Sequence, residues 1–542
     1  MKKMISALLC AAMIIGCTSC THETEETKKK KKKKTEKTTT EETIDTDDTE
    51  TEPSESDTSD TTDASSSETS SSPSGKIPDK IETLGLQYVN RQYLGYGYYD
   101  ENSDSVLQIT CMYDDLFIED DYYVDLQNAI DGEFFESEQA VLQKYDEQSE
   151  EFFEHYSAGE DQYDIDMQFR MNLFREDSLL ISFCFVDGEN EIHPVNYFSQ
   201  TAEKIELSDV IVDKTAAKDY IAYCLNSIMY DDYYDAFCKA IDNDSLQFCL
   251  TYDAICLICE TDTEGEVTFA KIPVVGVDNA FNQELFGNAP KCFSLFSSSE
   301  ESLIWDFDED GTPDTLSVNS LYDDDSARMQ VEITLNNYTY SSKDDGLEMN
   351  SYYVSYYTIM RTDDGYYLYL VANSVDSMKD IYIFKLMNGE FKYIDVMYNY
   401  WFYDTTYIDP TCFRLECLMD VMGFAGYTNE FYVVGNHGIP DYEYDTFVGE
   451  NNVYVTKCDI AGTQVDYQNL DDLGDITIPA GMAVRVYFYA PQYDTLMLEV
   501  LSPSSLDYYL VQLTVEYDDD DWTYSIGGTP IDELFYGVFY AG

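Results

Sequence analysis

The chain has 542 residues with 31 basic and 106 acidic side chains, a formal net charge of −75 at pH 7. A surface this acidic repels phosphate backbones, which argues against nucleic acid and leaves cationic proteins and divalent metals as the ligands its field attracts. The bland alternative is that the charge only keeps a Tyr-rich chain soluble.

The first twenty residues, MKKMISALLCAAMIIGCTSC, place two lysines before an apolar run from Met4 to Ile15. That run is too short to span a bilayer and has the layout of a secretory signal. It ends in Ile14-Ile15-Gly16-Cys17, which resembles the lipobox of bacterial lipoproteins. The resemblance implies that residues 1–16 are cut away as a signal peptide. Cys17 then carries a diacylglycerol and holds the protein on the outer face of the cell membrane. Two acyl chains anchor stably where one binds only marginally. Residues 17–75 are Thr, Ser, Glu, Asp and Lys with almost no apolar side chain. Such a segment cannot offset its chain entropy by burial, which predicts a disordered tether. The seven lysines from Lys28 to Lys34 suit anionic headgroups as well as they suit a solvated spacer. No later run reaches the roughly 20 apolar residues of a spanning helix.

Residues 76–292 predict an α+β domain. Strands are expected around LGYGYYD and SVLQITCMY. A helix follows over Asp125 to Tyr156, with Phe135, Leu142, Tyr145, Phe152 and Tyr156 on one face. Alternation from Gln168 to Phe185 reads as strands. Asp213 is placed to cap a second helix whose buried stripe is Ala217, Tyr220, Ile221, Cys224, Leu225 and Ile228. SLQFCL and AICLICE follow as strands, and the unit closes near FAKIPVVGVD. Eleven cysteines lie beyond residue 75, an odd number that excludes complete pairing within one chain. Most sit in apolar runs as small buried hydrophobes. Cys256 and Cys259, three apart on one strand, face opposite ways and cannot share a metal or a redox bond. With Tyr252-Asp253 as a two-residue loop, Cys249 and Cys256 oppose each other across the ladder, close enough to bridge.

The segment LLISFCFVDGENEIHPVNYFSQTAEKIELSDVI runs from a strand at Ile181 to Phe185, through His193, to Asn196 to Phe198 and then Leu207-Ser208-Asp209. Over residues 85–290 this order resembles the extracytoplasmic domain shared by lysozyme-responsive anti-sigma factors and some peptidoglycan deacetylases. In that family a strand precedes a Gly-Gly-Ala-His-like stretch, an Asn-Phe-Asp-like strand and a Leu-x-Asp turn into a helix. Here Asn190 to Ile192 stand in place of the glycine pair. The resemblance implies an ectodomain whose partner is cell-wall glycan or a cationic wall-active protein such as lysozyme.

Residues 293–542 predict an all-β region, with a sheet-rich domain over 293–440 and a small β domain over 441–542. Short Tyr/Val/Leu runs alternate with Asp-Gly turns at Asp310-Gly311, Asp345-Gly346 and Asp364-Gly365, too unequally spaced for a repeat. GDITIPAGMAVRVYFYAPQYDTLMLEVL resembles small barrels of the bacterial SH3 type. In YNYWFYD, Tyr398, Tyr400 and Phe402 fall on one face of an expected strand. Exposed, they would form a platform for sugar rings; buried, they would be ordinary aromatic core.

The stretch DFDEDGTPD carries the strongest ligand signal. Asp306, Asp308 and Asp310 occupy the first, third and fifth positions of a calcium loop, with Gly311 at the sixth for the sharp turn. The Thr312 carbonyl falls seventh and Asp314 ninth, and oxygen ligands at this spacing suit Ca2+. The flanks read as strands, and Ser317 stands where an EF-hand has its bidentate glutamate. The alternative is an acidic hairpin without metal.

There is no H-E-x-x-H, G-x-S-x-G or G-x-x-x-x-G-K. The four histidines, His22, His155, His193 and His437, include no two at metal-ligand spacing, and His193 reads as structural. Among so many acids no carboxylate pair stands out for acid–base work. The sequence therefore predicts a lipid-anchored surface protein that binds glycan or a cationic protein without catalysis. The rival is a cell-wall-modifying enzyme with an unrecognised carboxylate site.

Overall fold

The computed structural model describes residues 77–538 apart from 79, 101–104, 119, 159–164, 187–191, 228–232, 261–266, 300, 324–327, 375–377, 403–405, 412, 420, 424, 435–437, 439, 442–446, 450–452, 468–469, 502–507 and 519–522. The expected signal peptide, Cys17 and the lysine-bearing linker lie outside the described residues, as do His22, Ile228 and His437. Among the described residues no helix is long and apolar enough to cross a membrane.

The first sheet has six strands. The two expected strands, β1 (Leu86–Asp100) and β2 (Ser105–Ile118), pair as an antiparallel hairpin. The helix Val124–Ala158 follows, and β3 (Ile165–Glu176) then lies parallel to β2. A parallel pair needs a crossover of this length, because a tight turn only reverses the chain. β4 (Leu180–Val186), β5 (Ile192–Phe198) and β6 (Glu203–Lys204) complete the sheet by antiparallel pairing. The crossover helix buries Leu126, Ile130 and Phe134 with Ile181, Phe183 and Phe185 of β4. Of the expected face, Leu142 packs against this core, whereas Phe135 is 61% exposed. The docked stripe is set by four-residue steps in the first turns, whereas a seven-residue pattern drifts around a straight helix.

The other face of β4 meets a second layer. Helices Lys214–Ser227 and Tyr234–Asp242 lead into an antiparallel meander of β7 (Phe248–Leu250), β8 (Ala254–Glu260) and β9 (Val267–Pro273). Asp213 caps the first helix as expected, accepting hydrogen bonds from the Thr215 and Ala216 amides at 2.8 and 3.0 Å. Ala217, Ile221, Cys224 and Leu225 enter the core, with Tyr220 packed at its edge. Cys249 and Cys256 are register partners, as the hairpin predicts. Cys256 and Cys259 fall in different core clusters, consistent with opposite faces.

The chain beyond residue 292 is sheet-rich. β10 (Phe293–Ser298), β11 (Leu303–Trp305), β12 (Asp314–Asp323), β13 (Arg328–Leu335) and β14 (Tyr338–Ser341) precede β15 (Tyr353–Thr362), β16 (Gly365–Asn373), β17 (Lys379–Met387) and β18 (Glu390–Tyr398). β11 to β14 form one antiparallel sheet, and β10 with β15 to β18 forms another. β16 is buried on both sides. Tyr366, Leu368 and Leu370 pack with the four-stranded sheet, whereas Tyr367, Tyr369 and Val371 pack with Phe402, Phe413 and Leu415.

A last sheet takes β19 (Tyr400–Phe402), β20 (Phe413–Met419), β21 (Ala425–Val434), β22 (Pro440–Asp441), β23 (Phe447–Gly449), β24 (Val453–Thr456), β25 (Ile460–Val465), β26 (Asp472–Ile478), β27 (Ala483–Ala490), β28 (Thr495–Leu501) and β29 (Tyr508–Asp518). Its ladder passes from β19 through β20, β21 and β23 to β27. The boundary expected at residues 440/441 therefore falls inside a sheet. Tyr- and Val-rich strands lie on both sides of that point, so composition marks no break there.

Candidate metal centre

The acidic loop joins β11 to β12, and the Trp305–Asp314 register pair closes it. Its base is apolar. Trp305 and Phe307 are both buried, and the Phe307 ring lies 5.3 Å from Tyr366, whose hydroxyl accepts from the Trp305 Nε1 at 3.2 Å. Beyond Phe307 the backbone turns sharply before Asp314. Gly311 takes φ +86° and Glu309 φ +60°, a left-handed region that glycine enters without strain.

Side-chain oxygens satisfy the turn's amides. Asp306 accepts from the Asp310 amide at 3.1 Å and the Gly311 amide at 2.8 Å, and Asp308 accepts from the Asp310 amide at 3.2 Å. Asp314 is buried, accepting from the Phe307 amide at 2.8 Å and from the Asn336 side chain. One oxygen each from Asp306, Asp308 and Asp314 falls within 4.8 Å of the others. Asp310 stands outside that group, its carboxylate accepting from the Thr312 amide at 2.7 Å. Of the four expected carboxylate ligands, then, the fold brings together three. Reduced solvation, then the charges of Asp310, Asp314 and Asp306, hold the Asp308 carboxyl above its ordinary value. The nearby Arg361 pairs with Glu309 at 3.3 Å. Three hard oxygens gathered at one turn are a donor set for Ca2+ or a similar cation, whose charge would offset their repulsion.

The aromatic stretch is not a platform. Tyr398 ends β18 and is 56% exposed, while Phe402 is 1% exposed on β19 with its ring against Tyr369 and Phe413. Between them Asn399 takes φ +64°, and the two strands belong to different sheets. Tyr400 is partly buried against the core. The expectation of three rings on one strand face fails because that left-handed residue breaks the strand. His193 sits on β5 with its ring stacked on Phe185 at 4.8 Å.

Sequence reading missed a second charged site. Arg175-Glu176-Asp177-Ser178 spans the end of β3 and the turn into β4, and all four side chains are buried. Arg175 donates to Asp177 at 2.6 Å and to the Leu285 carbonyl at 2.6 Å, with its guanidinium 4.6 Å from the Tyr252 ring centre. Glu176 accepts from the Leu84 amide at 2.8 Å and from the Tyr407 hydroxyl at 3.0 Å. Burial, and then the charge of Asp409, push its carboxyl up to about 8. A carboxyl in that range has the acidity a general acid needs. Here both oxygens join distant chain segments, so it serves packing. Lys271, paired with Asp253 at 2.8 Å and donating to the Phe296 carbonyl, makes a second buried link into the β-rich region. No signal separates these charges from surface ones in the sequence, because burial here depends on segments far away along the chain.

No family model matches the chain, and no curated protein matches it. Solved structures similar to part of it include two of one family. One is a DUF3298 family protein from Pseudomonas aeruginosa PAO1, at 16% identity and TM-score 0.23, covering 38% of this chain and 97% of that one. The other is a member of the same family from Bacteroides fragilis NCTC 9343, at 13% identity and TM-score 0.24, covering 37% of this chain and 96% of that one.

Proposed function

We propose that the chain is a lipid-anchored protein of the outer cell surface whose acidic ectodomain binds a cationic wall-active protein, with Ca2+ held at Asp306, Asp308 and Asp314. The observation that carries the partner is charge. Residues 76–542 hold 90 acidic and 21 basic side chains, a field that steers cationic partners and rejects anionic ones. The three convergent carboxylates support calcium in the role of a loop-ordering ion. The lipobox-like run before Cys17 supports the anchor. A cationic protein takes precedence over glycan because burial of Phe402 removes the aromatic platform a glycan would use. We read the strands β24 to β29 as a small SH3-like β barrel; the antiparallel succession β27-β28-β29-β25-β26 supports that reading.

The test is to incubate the full chain in detergent with lysozyme and, separately, with peptidoglycan. Saturable lysozyme binding with no soluble product from peptidoglycan is expected. Release of soluble product would overturn the reading in favour of a wall-modifying enzyme.

A further inference from the structure

Three thiols from three strands meet in the layer between the first sheet and the β7–β9 meander. Cys184, Cys249 and Cys256 share one small core with Phe174 and Ile258, and all three are buried. The hairpin register makes Cys256 the obvious partner for Cys249. The hydrogen-bond pattern argues otherwise. The Thr251 amide donates to the Ala254 carbonyl at 3.0 Å, and the Ile258 amide donates to the Gln247 carbonyl at 3.4 Å. Hydrogen-bonded pairs alternate along an antiparallel ladder, so Cys249 and Cys256, midway between those two, are a hydrogen-bonded pair. Side chains of such a pair are held farther apart than those of the pairs on either side.

Cys249 is aimed at β4 instead. Its thiol donates to the carbonyl of Phe183, the residue before Cys184, at 3.5 Å, and the two cysteines share one small buried core. The backbones behind the two sulfurs are fixed to each other. The Leu250 amide donates to the Ser182 hydroxyl at 2.8 Å, and the Asn196 side chain donates to the Phe248 carbonyl at 2.8 Å. Ser182 in turn donates to Asn196 at 2.7 Å. This polar clamp holds β7 against β4 with Cys184 and Cys249 in the same small core between them.

We propose that Cys184 and Cys249 form a disulfide when the chain folds in contact with a small disulfide oxidant, tying β4 to β7 and leaving Cys256 as a free thiol. The Cys249 thiolate attacks one sulfur of the oxidant, and the other leaves as a thiol. The Cys184 thiolate then attacks the Cys249 sulfur and expels the second thiol. Two protein thiols are oxidised, one small disulfide is reduced, and both protons end on the released thiols. Thiolate is the attacking species, and a fully buried thiol supplies little of it. The bond therefore forms during folding, before the layer closes.

The experiment is to refold the full chain in a buffer of oxidised and reduced glutathione, alkylate the remaining thiols, digest without reduction and sequence the linked peptides by mass spectrometry. A Cys184–Cys249 link with Cys256 alkylated is expected, and Cys256→Ser should leave that link unchanged. Alkylation of both Cys184 and Cys249, or a Cys249–Cys256 link, would overturn the proposal. The readout is connectivity in the unmodified chain, so it does not depend on any variant folding.

Discussion

Tyr407 donates its hydroxyl hydrogen to Glu176 across 3.0 Å, joining two buried residues 231 positions apart. The bond ties the end of β3 to the segment after β19, and the Thr406 hydroxyl, donating to the Leu173 carbonyl at 2.6 Å, reinforces it. A carboxyl at this junction makes stability depend on pH.

The Glu176 carboxyl ordinarily titrates at 4.5 and is pushed up to about 8 in the folded chain. The unfolded chain therefore releases this proton first as pH rises. The carboxyl's favourable contribution is complete below 4.5 and is lost progressively as pH climbs through about 8. Glu176→Gln should flatten the fall in melting temperature over that window. Near pH 8 the variant should be more stable than wild type by on the order of a few kcal/mol. Thermal melts of both proteins across the window check this, and an equal loss of stability at every pH would contradict it.

Calcium should raise the melting temperature. At a dissociation constant of about 0.1 mM, typical of extracellular modules, about 2 mM Ca2+ would add roughly 1.8 kcal/mol. For a cooperative unit of about 150–250 residues that is a rise of about 4–7 °C. The loop geometry separates two aspartates that look alike in sequence. Asp308→Ala should abolish the rise. Asp310→Asn should keep it, because an amide oxygen can still accept from the Thr312 amide. Identical melts of wild type in calcium and in chelator would show the loop to be only an acidic turn.

Gly438 takes φ +74° and offers its carbonyl to the Tyr369 hydroxyl at 2.6 Å. A Cβ there would collide with the Tyr367 ring, whereas at Gly389, φ +80°, nothing lies within 4 Å. Gly438→Ala should cost about 2–4 kcal/mol from strain and overpacking together. Gly389→Ala should cost only about 1–2 kcal/mol, from backbone strain alone. Denaturant melts of the pair check the difference.

Cys17→Ala should abolish incorporation of a radiolabelled lipid precursor. The protein should then move to the medium or remain as uncleaved precursor. A wild-type chain that takes up no lipid label would contradict the anchor.

What the sequence made legible was local. Asp213 could be read as a cap because a single aspartate before a helical stripe bonds amides two and three residues on. The β7–β8 hairpin was equally readable, since its two-residue loop alone fixes the register of Cys249 with Cys256. The acidic loop was legible in its turn and glycine but not in its ligand set, because the choice of Asp314 over Asp310 depends on which amide each carboxylate meets. Glu176 was illegible because its environment is built by Leu84 and Tyr407, far off along the chain. Tyr398 and Phe402 misled for a simpler reason. One left-handed residue, Asn399, separates them, and strand alternation carries no information across it.

The most direct measurement of the central claim is the salt dependence of lysozyme binding by the full chain in detergent. Contacts between exposed charges are screened beyond about 8 Å at physiological salt. If the acidic surface is the recognition element, affinity should fall steeply, by tenfold or more, between about 0.05 and 0.5 M salt, with the loss mainly in the association rate. An affinity that stays flat across that range would contradict electrostatic recognition and leave the acidic surface a device for solubility.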